Sequence, residues 1–188
     1  NETAINYFDV YGRPTISAYG YATVRMEYDK QRRLIKEEYF DAEGRPSANS
    51  TGEHARIFVR DARGNISEEL HRGIDGRLVA DKNGVARYVY THDDLDRSVR
   101  ELYYGADGKP AVHKDYYSEG SYMEYDDYGR RRLLQRTDHE GHPTRLRHSI
   151  TDFAQQLFRY DERGQVVETL FLNPDSTLCE SMSCARMA

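Results

Sequence analysis

The run "HEGH" at residues 139–142 has the residue types of a metal site but not the spacing. A zincin helix places two histidines at i and i+4 so that both reach one ion. Here the second falls one residue early, and Gly141 and Pro143 exclude a helix. The acid runs "DDLD" (93–96) and "YDD" (125–127) raise calcium. A calcium loop needs alternating oxygens that converge on one point, as in Asp-x-Asp-x-Asp-Gly, and none is present. The basic run "GRRRLLQR" (129–136) reads as a solvated strand, its arginines alternating sides and pairing with neighbouring glutamates. No serine sits in Gly-x-Ser-x-Gly, and His54, His71, His92, His113 and His148 share no register. Cys179 and Cys184, the two cysteines, lack metal spacing; they read as idle thiols, or else as a local disulfide of the tail. No catalytic residue, metal or cofactor is expected, and no enzyme.

One arrangement suits binding. Tyr7, Tyr39, His71, Tyr103, Arg136 and Phe171 form a mostly aromatic column at one register position, with Glu37, Glu69 and Glu101 two residues earlier on the same strand face. Flat rings beside carboxylates suit a glycan or a peptide, which makes Tyr7, Tyr39, Tyr103 and Phe171 the candidate binding residues. The competing reading is a cross-strand aromatic ladder that holds the units together, and it ranks ahead, because such pairs are ordinary sheet stabilisers.

The register comes from a repeat. Gly12, Gly44, Gly76, Gly108 and Gly141 recur at intervals of 32, 32, 32 and 33 residues. A second mark, Tyr-Asp-x-x-Gly, places Asp29, Asp61, Asp93, Asp126 and Asp161 at intervals of 32, 32, 33 and 35. A weaker third mark, Gly-x-Ala, appears at Gly20 and Gly84, with Asp152-Phe153-Ala154 as a variant. Asp-x-x-Gly is a turn: the acid accepts from the backbone ahead of it, and the glycine takes the left-handed conformation at no steric cost. Pro14, Pro46, Pro110 and Pro143 follow two residues after the first-mark glycines, where a fixed φ and a missing donor suit an irregular crossing.

Strand-like segments flank the second mark. Before it come "VRMEY", "RIFVR", "YVYTH", "SYMEY" and "QLFRY", each centring Met26, Phe58, Tyr90, Met123 or Phe158 on what a period of two makes the core face. After it come "LIKEEYF", "ISEELHR", "SVRELYY", "LLQRT" and "VVETLFL", too β-branched and too short for helices. The expected fold is all-β: tandem repeats of about 32 residues, each an antiparallel hairpin, forming an elongated twisted sheet or spiral. One array of about five units is expected over residues 1–178, partial at both ends, with a non-repeat tail at 179–188. Asn1 aligns with Arg33, just past a turn, so a longer parent chain is expected.

Composition agrees. A net charge of −5 and a pI near 5.8 argue against a nucleic-acid surface. No apolar run approaches the ~18 residues that a helix needs to span a bilayer. Sixteen tyrosines supply a thin core whose hydroxyls reach water.

"YDDYGR" (125–130) and "YDERGQ" (160–165) resemble the YD repeats of bacterial RHS and related surface or secreted proteins. The resemblance runs over roughly residues 7–173, with a longer unit and with Arg60 and His92 in place of the tyrosine in two copies. It implies β-hairpin architecture and an extracytoplasmic role in a bacterium; with the aromatic column, the expected function is a non-catalytic module that binds protein or carbohydrate along an aromatic-rich β surface. The alternatives are a passive stalk for an adjoining domain and an accessory domain of an enzyme.

Overall fold

The computed structural model describes residues 2–144 and 153–179 in full, and residues 186–187 as backbone. Asn1, His148, Asp152 and Cys184 lie outside the described residues. Every regular element described is a strand: β1 (Ala4–Asn6), β2 (Thr23–Tyr28), β3 (Leu34–Phe40), β4 (Ala55–Arg60), β5 (Ile66–Arg72), β6 (Arg87–His92), β7 (Ser98–Tyr104), β8 (Gly120–Tyr125), β9 (Arg131–Thr137), β10 (Gln155–Tyr160), β11 (Val166–Leu172) and β12 (Arg186–Met187). The sheet is antiparallel, its order is the chain order from β1 to β12, and no pairing among the described residues closes it into a barrel. The chain divides into two compact units, Asn1–Val89 with Tyr104–Lys109, and Tyr90–Tyr103 with Pro110–Ala188.

One turn geometry recurs at three places in the repeat. At Asp41 the backbone N–H donates to Arg45 O (2.9 Å) and Gly44 N–H donates back to Asp41 O (3.1 Å). The Asp41 carboxylate accepts from the N–H groups of Glu43 (3.0 Å) and Arg45 (2.8 Å), and its other oxygen holds the Arg45 guanidinium at 2.8 Å. The same closure is built at Asp9, Asp29, Asp93 and Asp126, each with an arginine four residues on. The cation of the opening motif is therefore a turn clamp. Arg32 and Asp96 take the left-handed position, at φ 65° and 62°, where the other units have Gly64, Gly129 and Gly164.

The third mark is a full turn of the same kind. Ser17, Asn49 and Asp81 open it, and Gly20, Gly52 and Gly84 close it. Because Ser, Asn and Asp all accept from the backbone, this turn keeps its geometry while its first letter varies. In the fourth copy it is one residue wider: His113 N–H donates to Ser118 O and Tyr117 N–H to His113 O. The histidine Nδ1 accepts from Asp115 and Tyr116 N–H at 3.2 and 3.3 Å, standing in for the carboxylate. This is the residue that stretches the interval to 33.

Between Gly12, or its counterpart, and the next strand, the chain loops back on the strand end. Tyr39 N–H donates to His54 O (2.9 Å), and Tyr39 O accepts from Ser47 N–H (3.0 Å). Tyr7, His71, Tyr103 and Arg136 are clamped in the same way by the residues that follow them. The column thus marks where each strand is gripped by its crossing segment. One-residue register shifts at Glu27/Tyr28, Val59/Arg60, Glu124/Tyr125 and Arg159/Tyr160 give the bulge that a type I turn with a left-handed residue produces.

Candidate functional site

Directly paired residues share a face of a sheet, so the register tells which side chains meet. Val24 pairs with Tyr39, Glu37 with Arg56, Arg56 with His71, and Glu69 with Tyr88. Glu101 pairs with Ser121, and Ser121 with Arg136. The whole column lies on the face that also carries Phe58 and Met123, both 8% exposed. Met26, Tyr90 and Phe158 on that face are half-buried.

The structure places the candidate binding rings inside. Tyr39 is 5% exposed, Tyr103 0% and Phe171 6%, because the crossing segments fold over this face; Tyr7 stays half-buried. Such rings offer no open surface on which a glycan could stack; across the sheet Tyr39 faces Val24 and Phe171 faces Gln156, and their ring contacts are to crossing-segment residues. Tyr21 stacks on Tyr39 at 4.6 Å and meets Tyr7 edge-on at 5.8 Å. Phe153 tilts against Phe171 at 5.0 Å, beside the buried Cys179. Burial pushes the Tyr21 phenol up to about 12, and burial with the charge of Glu37 raises Tyr39 as well.

In the first compact unit the charged residues of this face lie in a chain of opposite charges. Arg56 reaches Glu69 at 2.6 Å and Glu37 at 3.3 Å. His71 lies between Glu69 (3.4 Å) and Glu53 (3.2 Å), and Glu53, on the crossing segment, is 5% exposed. Burial opposes the charge on Glu53, but the hydrogen bond and charge of His71, with Thr51 and Asn49, outweigh it and hold the carboxyl below its usual range. Tyr88 fills the corresponding slot one repeat later, its hydroxyl donating to Asp81 (2.7 Å).

The second unit breaks the pattern. Ser121 stands where Arg56 and Tyr88 stand, and Ser118 stands where Tyr21, Glu53, Val85 and Phe153 stand on the crossing segments. Two small residues at facing positions leave a cavity of about 390 Å³, lined by Glu101, Arg131, Arg136, Gln156, Tyr116 and Phe153 together with the two serines, Met123 and Leu134. Glu101 accepts from the Tyr103 hydroxyl at 2.9 Å and has no ion pair among the described residues. Arg136 packs over the Phe153 ring at 4.2 Å and donates to the Phe153 carbonyl at 3.3 Å. No reading of the sequence singled out either serine; the signal available was the interval of 33 residues that widens the turn beside them.

The sequence's metal candidate resolves into a turn. Asp138, Glu140 and His142 bring ligand atoms within 4.8 Å of one another. Yet Asp138 accepts from Gly141 and His142 N–H at 2.9 and 2.8 Å, and the His142 ring lies 3.1 Å from its other oxygen. In "GRRRLLQR", Arg130 clamps Asp126 at 2.7 Å, Arg132 pairs with Glu124 at 2.7 Å, and Arg131 lies over Phe158.

No family model matches this chain, and no curated protein matches it. Among solved structures, TcdB2-TccC3-TEV is similar over 79% of this chain and 7% of its own, at 16% identity and a TM-score of 0.41. TcdB2-TccC3-Cdc42 is similar over 96% and 10%, at 10% identity and a TM-score of 0.42. A Photorhabdus luminescens Tc holotoxin pore with a mutated TccC3 is similar over 91% and 12%, at 11% identity and a TM-score of 0.30. This chain spans a small fraction of each of these chains.

Proposed function

We propose that the chain is a non-catalytic repeat module of a bacterial cell-surface or secreted protein, of the YD/RHS kind, acting as a scaffold for contacts with protein or carbohydrate. The observation that supports it is where the recurring residues go. The turn acids hold their own turns, and Tyr39, Tyr103 and Phe171 are buried under the crossing segments. What recurs in every unit builds the sheet; a partner is met by residues that do not recur.

Replacing Tyr39 and Tyr103 by Ala tests this. Loss of the cooperative unfolding transition, or a strongly lowered urea midpoint, is expected from both variants. Variants that unfold like the parent but no longer bind cell-wall or glycan ligands would make the column a binding surface and overturn the scaffold reading.

A further inference from the structure

In an array whose conspicuous residues recur, a site for one ligand has to be sought where recurrence fails. The cavity beside Ser118 and Ser121 is such a place, and three features of it are independent of one another. Its size lies within the range of small-molecule sites, about 300–1,000 Å³. Its walls combine two rings, Tyr116 and Phe153, with the apolar side chains of Met123 and Leu134, and with a carboxylate, two guanidinium groups and an amide. Ser118 is fully buried and its hydroxyl has no hydrogen-bond partner, as is also true of Thr137, so it marks a slot left small and is itself closed to a ligand. A space-filling Val at this position would avoid the unpaired hydroxyl.

The widened turn gives the cavity its aromatic edge. The extra residue brings Tyr116, 49% exposed, into a stack on His113 at 4.2 Å with planes 16° apart. His113 in turn packs on the buried Tyr103 at 5.1 Å. Tyr116 is therefore a half-exposed ring held by a rigid stack. Across the sheet Glu101, Ser121 and Arg136 lie in one row, which sets the backbones that carry the acid and the cation about 10 Å apart. The Gln156 amide adds a donor and an acceptor to the lining.

We infer that this cavity binds a small acidic carbohydrate, one or two sugar rings bearing a carboxylate. Ring C–H faces would pack on Tyr116 and Phe153, sugar hydroxyls would donate to Glu101 and to the Gln156 carbonyl, and the carboxylate would pair with Arg131 at the exposed rim. Burial of the hydroxyls against paired polar groups sets the preference over a purely apolar ligand. The inference deepens the carbohydrate half of the proposed function. Its failure would leave the scaffold reading intact, since that reading is judged by the stability of the Tyr39 and Tyr103 variants.

The test is titration of the intact chain with glucuronic acid, galacturonic acid, neutral glucose and glycine, followed by tyrosine fluorescence and ligand-observed NMR. The uronic acids are expected to bind, with glucose weaker and glycine silent. Ser121→Tyr, which restores the side chain of the Tyr88 slot, should abolish binding while the protein stays folded. Ser118→Val should do the same should the tyrosine variant fail to fold. Arg131→Gln should weaken the uronic acids about tenfold and leave glucose unchanged, as expected for one lost charged hydrogen bond. Silence of every sugar, glycine binding as well as the uronic acids, or uronic acid binding undiminished in the folded serine variants would each overturn the inference.

Discussion

The row Glu37–Arg56–His71 and the row Glu101–Ser121–Arg136 occupy the same sheet positions, and they are finished differently. In the first, a guanidinium joins two carboxylates and a buried Glu53 closes the histidine from above. In the second, a serine faces a serine, the acid has a phenol as its one donor among the described residues, and about 390 Å³ stays open. The clamp that grips His71 and Arg136 from either side is the same in both, while the turn before Ser118 is one residue wider than the turn before Glu53. A repeat therefore fixes where side chains meet and leaves open whether they fill the space. Filled slots supply stability, and an unfilled one leaves a ligand room.

Removing the column residue from each row should have the largest and most unequal effects. His71→Ala should cost about 3–5 kcal/mol, because it strands the buried Glu53 carboxylate without its partner. Arg136→Ala, beside the cavity, should cost about 1–2 kcal/mol, since its neighbours include open space. Urea unfolding of the two variants measures the difference, and equal costs would mean that the rows are energetically alike. The acid limb sharpens the same point. The Glu53 carboxyl is depressed in the folded protein, so its contribution is complete above its unfolded value and is lost as pH falls through the lower folded one. The parent should lose stability over that window, and His71→Ala should be flatter across it.

Exchange at the crossing-segment position gives the next largest effects. Val85 and Ser118 are both fully buried at equivalent places. Val85→Ser should cost about 2 kcal/mol, from lost apolar burial and a new unpaired hydroxyl. Ser118→Val should gain about 1 kcal/mol by removing one. A loss from Ser118→Val would show that its hydroxyl is already satisfied.

The turn aspartates should behave alike in both units. At Asp41 burial opposes the charge, but the Arg45 N–H and guanidinium prevail and lower the pKa; Asp126 is lowered in the same way by Arg130. Their stabilisation is present above the ordinary carboxylate value and disappears as pH falls through the depressed one. Melting temperatures recorded from neutral pH downward should fall at that point, and Asp41→Asn and Asp126→Asn should each remove a similar small part of the fall. A marked difference between the two would mean that the turns are not interchangeable.

Much of this was legible in the letters. Asp, x, x and Gly have one common conformation, so the hairpin turns and the strands between them could be read without coordinates. The third turn was harder to see, because Ser17, Asn49, Asp81 and His113 serve one geometric role with four residue types. The burial of the column was open for another reason: period two tells which residues share a face, and it does not tell which face the crossing segments cover. The cavity was least visible. Ser118 and Ser121 are unremarkable letters, and they signify only when set against Arg56, Tyr88 and Val85 in register.

The smallest effect concerns the widened turn itself. Tyr117 sits at φ 52°, the left-handed region that costs a side-chain-bearing residue about 1–2 kcal/mol. Replacing it with Gly removes that cost but adds the chain entropy of a glycine, about 0.5–1 kcal/mol, so Tyr117→Gly should gain roughly 0.5 kcal/mol. In the regular turns, where Gly20 and Gly84 already hold the left-handed position at φ 91° and 85°, no such gain is available. Gly20→Ala should be costly, since a Cβ there would lie 2.6 Å from the Ser50 nitrogen, a backbone atom that cannot swing aside. The two substitutions thus have opposite signs at equivalent places. If Tyr117→Gly also loosens the Tyr116–His113 stack, uronic acid binding should weaken while stability rises. That outcome would tie the strained turn to the cavity, whereas unchanged binding would confine its role to chain geometry.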